Sequence, residues 1–160
     1  MMAYPTPFLF TIEPGRPLLI MSCSDVKRPT KPYELVRFAD LYAGPMWLQV
    51  KASGFPLTNV AAVSALYGFL EPGMAIETYD RMMDEKTSER FCSTSDHVYR
   101  MAEAIKAAGS AFFVGGKLYR ELVYRTIQVY RDTPSVTFAE GTYLQQRKQL
   151  GAWLRDQVEP

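Results

Sequence analysis

The chain has 160 residues, 48% of them hydrophobic, 22% charged and 13% aromatic, a length that suits one domain and argues against two. Eleven Pro and ten Gly, spread without a repeat, exclude collagen-like and low-complexity disordered classes. Eighteen Lys and Arg against 17 Asp and Glu give a formal net charge of +1; no global field gathers polyanions, so any nucleic-acid contact must be local.

Met1 to Phe10 is apolar and carries Pro5 and Pro7, but it lacks a basic leader and a sustained apolar core, so it does not read as a signal peptide. Residues 1–16 are expected to form an N-terminal extension of a single domain over 1–160. No apolar run approaches the roughly 18–20 residues of a membrane span, and the expectation is a soluble, cytoplasmic protein. Pro17 to Ser24 is a short continuous apolar run ending in hydroxyls and a thiol, which predicts a strand buried on both faces and then a polar loop. Leu35 to Ser53 has helical periodicity interrupted at Gly44-Pro45, which predicts two short helices. Asn59 to Ala65 reads as a second buried strand, followed by a loop over Leu66 to Gly73.

Thr87 to Ala108 predicts one amphipathic helix, with Val98, Met101, Ala102, Ile105 and Ala108 on its apolar face and Gly109 as its stop. Ala111 to Val114 reads as a third strand, Leu118 to Tyr130 as a helix, and Ser135 to Phe138 as a fourth strand. In the terminal helix, Tyr143 to Val158, Leu144, Leu150, Trp153 and Leu154 are expected on one face. Short, doubly apolar strands alternating with helices predict an α/β fold, a single three-layer domain with a short, mostly parallel sheet flanked by helices. Ligands of such sheets collect at the carboxyl ends of the strands. Those ends are Ser22-Cys23-Ser24, Ser64, Gly115-Gly116-Lys117 and Glu140-Gly141.

Cys23 and Cys92 lie in different contexts without a C-x-x-C spacing, so no disulfide is expected. One His and two distant Cys do not build a zinc site, and no cofactor motif stands out. Ser22, Cys23, Ser24 and Lys27 could hold an anion, or Cys23 could act as a nucleophile; an inert strand-end Cys is the plainer reading. Gly115-Gly116-Lys117 between a strand and a helix has the ingredients of a phosphate cradle, although a tight turn with a solvated Lys explains it as well. Glu71, Glu77, Asp80 and Glu140 are the loop carboxylates available for acid–base or cation-stabilising work. Tyr67, Phe69 and Tyr79 beside them offer stacking surface, with Phe69 better read as a core anchor.

Five ordered blocks together carry a resemblance. They are Leu19-Ile20-Met21-Ser22-Cys23-Ser24-x-x-Lys27, Ala39-Asp40-Leu41-Tyr42-x-Gly44, Val63-Ser64-Ala65-Leu66-Tyr67-Gly68-Phe69-Leu70-x-Pro72, Ile76-x-x-Tyr79-Asp80 and Gly115-Gly116-Lys117-x-Tyr119-Arg120. Their order and spacing resemble a domain-of-unknown-function family of small α/β proteins, many carried by phages and mobile elements, distantly similar to the peroxide-stress protein YaaA. The resemblance runs from about Leu18 to Trp153 and implies a nucleic-acid or nucleobase connection. Ser22, Cys23, Lys27, Tyr42, Ser64, Tyr67, Gly68, Tyr79, Asp80, Gly116, Lys117 and Tyr119 fall on the family's motif positions. Asp25-Val26-Lys27 departs from the consecutive Lys of many relatives, and Glu140-Gly141-Thr142 shortens a Gly-rich stretch.

The leading expectation is an enzyme that cleaves or exchanges an N-glycosidic bond of a nucleotide, or of a modified base in DNA. Such chemistry builds positive charge on the sugar and needs a carboxylate near it, from Asp80, Glu71 or Glu140. Ser64 and Lys117 would hold phosphate or base, and Tyr67 and Tyr79 would stack on the ring. A non-catalytic DNA- or nucleotide-binding module is the alternative, marked by a continuous basic groove from Lys27, Arg28, Lys31, Arg37, Lys117 and Arg120. Covalent catalysis by Cys23 on a small nucleotide is a third.

Overall fold

Leu18, Leu19, Ile20 and Met21 offer no polar side chain on either side of an extended backbone, so both faces of that strand need apolar cover. The computed structural model describes residues 11–158 and supplies that cover. In chain order the elements are β1 (Leu18–Ser22), β2 (Val36–Arg37), α1 (Phe38–Leu41), α2 (Pro45–Ser53), β3 (Val60–Ser64), β4 (Gly68–Leu70) and β5 (Ala75–Ile76). There follow α3 (Glu85–Ser93), α4 (Ser95–Ala108), β6 (Ala111–Val114), α5 (Lys117–Val129), β7 (Val136–Phe138) and α6 (Tyr143–Val158).

Five strands form one sheet in the order β4-β3-β1-β6-β7. β1 pairs in parallel with β3 and with β6, placing Leu19 beside Val60 and Leu18 beside Ala111; β6 pairs in parallel with β7. β4 runs antiparallel to β3, with Phe69 opposite Val63. The two-residue strands β2 and β5 make a separate antiparallel ribbon. Strand alternation sends Leu19 and Met21 to one face, where Phe38, Trp47, Val50, Leu150 and Leu154 of α1, α2 and α6 cover them. Leu18 and Ile20 face the other way, onto Phe91, Met101, Ile105, Leu122 and Val123 of α3, α4 and α5. The result is the three-layer α/β domain with a mostly parallel sheet. Each fully buried aliphatic side chain in the two cores contributes roughly 1.5–3 kcal/mol.

Several sequence expectations change in detail. The single helix over Thr87 to Ala108 is two helices that meet at Thr94, whose backbone is extended and whose hydroxyl donates to Arg90 O at 2.7 Å. Three consecutive hydroxyl residues, Ser93 to Ser95, compete for the backbone and break the apolar periodicity there. Asp84 is the N-cap of α3, and its Oδ1 accepts the Thr87 N–H at 2.7 Å. The loop expected over Leu66 to Gly73 contains β4, too short and too Gly-bounded to read as a strand. Leu144 is 65% exposed and leaves the apolar face of α6 to Leu150 and Leu154. Trp153 is half-buried and stacks on Phe112 with ring centroids 4.9 Å apart.

Among the described residues no helix is long and apolar enough to cross a membrane, and Cys23 and Cys92 are both free thiols. The expectation for Met1 to Phe10 lies outside the described residues. The rest of the expected extension is tied down: Gly15 N–H donates to Ala108 O at 3.1 Å, and Glu13, Arg16 and Pro17 meet Asn59. Asn59 is fully buried. Its Oδ1 accepts Glu13 N–H at 2.8 Å, and its Nδ2 donates to Arg16 O at 2.8 Å and Glu13 O at 3.1 Å. Asn59→Ala strands these backbone groups and is expected to cost about 2–3 kcal/mol. Urea denaturation checks this as a lower midpoint at unchanged slope.

Candidate functional site

The connections leaving β1 pass to the α1–α2 face and the one leaving β6 passes to the α5 face, so the two loops diverge above adjacent strands. A crevice at the carboxyl ends of the strands follows from that topology. It has a volume of about 560 Å³. Ser22 to Val26 from β1 line one side, and Gly115, Gly116, Lys117 and Tyr119 from β6 and α5 line the other.

The two loops are held at fixed separation. A Cβ at Gly115 would sit 2.8 Å from Ser22 Cβ and 2.9 Å from Phe113 Cζ, so a side chain there would prise β1 and β6 apart. Gln146 of α6 accepts Gly115 N–H at 3.0 Å and donates to Gly141 O at 3.2 Å. Ser24 Oγ accepts Gly44 N–H at 3.0 Å and donates to Val26 O at 2.8 Å, while the Trp47 indole N–H donates to Ser22 O at 3.1 Å. Ser24 is thereby a loop-shaping residue. Gly116 is the N-cap of α5 and no side chain caps the helix. Its first N–H groups and the exposed Lys117 give this end of the crevice positive character, suited to an anion. Met82, Met83 and the half-exposed Tyr143 supply apolar and flat surface.

Behind Cys23 lies a cluster of hydroxyls. Ser64, fully buried at the end of β3, accepts the N–H groups of Leu66 and Tyr67 at 3.1 and 3.0 Å, so its own proton donates to Tyr79 Oη at 2.8 Å. Tyr79 Oη is in turn 2.7 Å from Tyr42 Oη. The ring of Tyr67 meets that of Tyr79 edge-on at 5.6 Å, and Lys27 Nζ sits 4.4 Å over the Tyr79 ring. Cys23 Sγ donates to Tyr119 Oη at 3.5 Å, which links the cluster to the crevice wall. Burial, reinforced by the Cys23 thiol, holds the Tyr42, Tyr79 and Tyr119 phenols above their ordinary range, against the hydrogen bonds from Ser64 to Tyr79 and from Tyr79 and Ser64 to Tyr42, which act the other way. They stay protonated and work as donors, not bases.

Of the residues singled out in the sequence, Ser22, Cys23, Ser24, Gly116, Lys117 and Tyr119 line the crevice. Tyr42, Ser64, Tyr67, Tyr79 and Lys27 form the cluster behind it. The carboxylates fall elsewhere. Glu71 is buried in an ion pair with Arg100 at 2.7 Å, on the far edge of the sheet beside β4. Glu140 is exposed and pairs with Arg120 at 3.1 Å, and Asp80 is exposed outside the crevice. Asp25 is the carboxylate among the crevice's lining residues. Of the cations whose groove would mark a binding module, Arg120 is engaged with Glu140 and Ala139 O. Gly68 opens β4 at a φ of 75°, and a Cβ there would lie 2.5 Å from the His97 ring.

His97, Trp47, Gln146 and Tyr143 were not identifiable as site or framework residues, because a lone side chain on a helix carries no spacing signal. His97 Nδ1 receives Phe69 N–H at 3.3 Å and lies 2.9 Å from Arg100 Nη2. Two donors on one nitrogen require the neutral ring. Burial, then the positive charge of Arg100, push its pKa down to about 4.

Two pH dependences follow. Unfolded His97 takes up its proton near 6.5, whereas the folded ring resists until about 4, so stability is full above the higher value and falls as pH drops between them. His97→Gln, which keeps an acceptor and does not titrate, should flatten that decline in urea midpoints measured across the interval. At the alkaline end, unfolded tyrosines ionise near about pH 10 while buried Tyr42 and Tyr79 hold their protons. Their contribution is complete below that pH and lost as pH rises. Tyr79→Phe, which also removes two hydrogen bonds, should cost about 2 kcal/mol at neutral pH and soften the alkaline fall, read by the same midpoints and by tyrosinate absorbance.

In comparisons with known proteins, no family model, no curated protein and no solved structure matches the chain.

Proposed function

We propose that the chain is a nucleobase- or nucleotide-directed enzyme that cleaves or exchanges an N-glycosidic bond, with its substrate in the crevice between the ends of β1 and β6. The observation that carries this reading is the convergence in one cavity of a positive helix end, hydroxyl and thiol donors, a carboxylate and a flat apolar wall. The first N–H groups of α5 and Lys117 suit a phosphate. Tyr143, Met82 and Met83 suit the face of a base. The resemblance of the five sequence blocks to a YaaA-like family belongs to the same proposal and points to the same ligand class.

In this reading Asp25 takes the role first expected of Asp80, Glu71 or Glu140. As the bond between the anomeric carbon and the base nitrogen lengthens, its electron pair leaves with the base and positive charge grows on the sugar. A carboxylate beside that carbon stabilises the charge. Water, or an incoming base in an exchange reaction, then bonds to the carbon, and the proton it loses passes to the nitrogen of the departed base. Tyr119, a crevice-lining phenol held protonated, donates a hydrogen bond to the departing base. The non-catalytic binding module remains the second reading. It is favoured by one observation, that a single carboxylate and not a pair lines the crevice among the described residues.

A screen for free-base release from nucleotides and from modified and unmodified DNA tests the proposal. Asp25→Asn is expected to lower release by about a hundredfold or more while leaving ligand binding intact, and Asp80→Asn should leave both unchanged. Binding without release from any substrate selects the binding module. Neither binding nor release overturns both readings.

A further inference from the structure

The crevice is not the end of the polar surface on the α6 side. Tyr143 and Gln146 face the crevice, while Leu144, Arg147, Lys148, Gly151 and Arg155 of the same helix, with Gln49 of α2, line a second groove of about 610 Å³. No carboxylate lines this groove. Among the described residues, none of Arg147, Lys148 and Arg155 forms an ion pair, whereas Arg16, Arg100, Lys106 and Arg120 are among the cations that do. In a chain of net charge +1, three unpaired cations in one groove are a local concentration of charge that the composition conceals. The opposite layer differs: Glu85, Glu89 and Glu121 line the cavity between α3 and α5, beside Lys117 and Arg125.

We infer that the α2–α6 groove carries the sugar–phosphate backbone of a nucleic-acid strand, and that the substrate of the crevice is a polynucleotide and not a free nucleotide. This inference rests on the reading of the crevice as a nucleotide site. Charge complementarity names the occupant, and the dimensions agree with it. α6 rises about 6 Å from Tyr143 at the crevice rim to Arg147, and about 12 Å more to Arg155. At about 3.4 Å per stacked nucleotide, the three cations therefore span about three to four phosphates leading away from the crevice. Arg147 also lies 6.0 Å from the centre of the Tyr143 ring, continuing the flat surface from one site to the other. Gln49 Nε2 donates to Arg147 O at 3.2 Å, which ties α2 to the wall of the groove.

Three phosphate contacts on a single strand give a slope of roughly −2 in log affinity against log salt, a loss of roughly 15-fold between about 50 and 200 mM. The test compares a short single-stranded oligodeoxynucleotide with the common deoxynucleoside 5′-monophosphates, on the wild-type chain and on the triple variant Arg147→Ala, Lys148→Ala, Arg155→Ala. The expected result is weaker oligonucleotide binding with most of the salt slope gone, and unchanged monophosphate binding. Because Arg147 is half-buried, the double variant Lys148→Glu, Arg155→Glu, altering exposed positions alone, provides the same readout. Unchanged oligonucleotide affinity and slope in both variants overturns the inference. So does monophosphate binding without oligonucleotide binding, which leaves the crevice reading standing, and so does binding of anionic lipid vesicles in place of the oligonucleotide. Failure of both nucleotide probes removes the crevice reading itself.

Discussion

β1 has no polar position before Ser22, and the architecture follows from that. A strand buried on both faces must lie inside a sheet, and the sheet must carry helices above and below it. With β3 and β6 both parallel to β1, every polar group that these three strands can offer emerges at one edge. Ser22, Ser64 and Gly115 stand there side by side. The crevice is thus a by-product of satisfying the most apolar segment of the chain, and its chemistry is restricted to what the first residues after each strand provide.

Burial also decides the electrostatic character of that edge. A neutral hydroxyl chain, from Ser64 through Tyr79 to Tyr42, occupies the position behind the crevice. Its members are directed by the two backbone donors on Ser64, which leave that oxygen's proton only one way to point. The positive elements, Lys117 at the start of α5 and Lys27 against the Tyr79 ring, stand at the margins. With Lys117 and the uncapped start of α5 beside it, the cavity favours an electron-rich ligand over a cationic one.

The parts legible in the sequence are those whose information is local. Doubly apolar runs mark β1, β3 and β6, Pro45 marks the restart at α2, and Gly109 marks the end of α4. The Ser-Cys-Ser and Gly-Gly-Lys strand ends identify both sides of the crevice for the same reason. What escaped depends on partners distant in the chain. Glu71 reads as a loop carboxylate until Arg100, on another element, is brought to it. β4 is a strand because Val63 lies opposite Phe69, and three residues alone carry no period. Gln146 fastens two loops from mid-helix, where its neighbours in sequence give no hint of either.

The two sides of the crevice differ in compliance. Between Gly115 and Ser22 backbone and side chain already touch at the limit of packing, so that side has one shape and transmits any disturbance straight into the sheet. Met82 and Met83 come from the segment 77–84, which has neither helix nor strand, and their unbranched side chains can repack around different outlines. A ligand group common to every substrate belongs against the rigid side, and a group that varies belongs against the methionines. Changes in what the crevice accepts would accordingly be gained or lost through that segment without disturbing the strands beneath it.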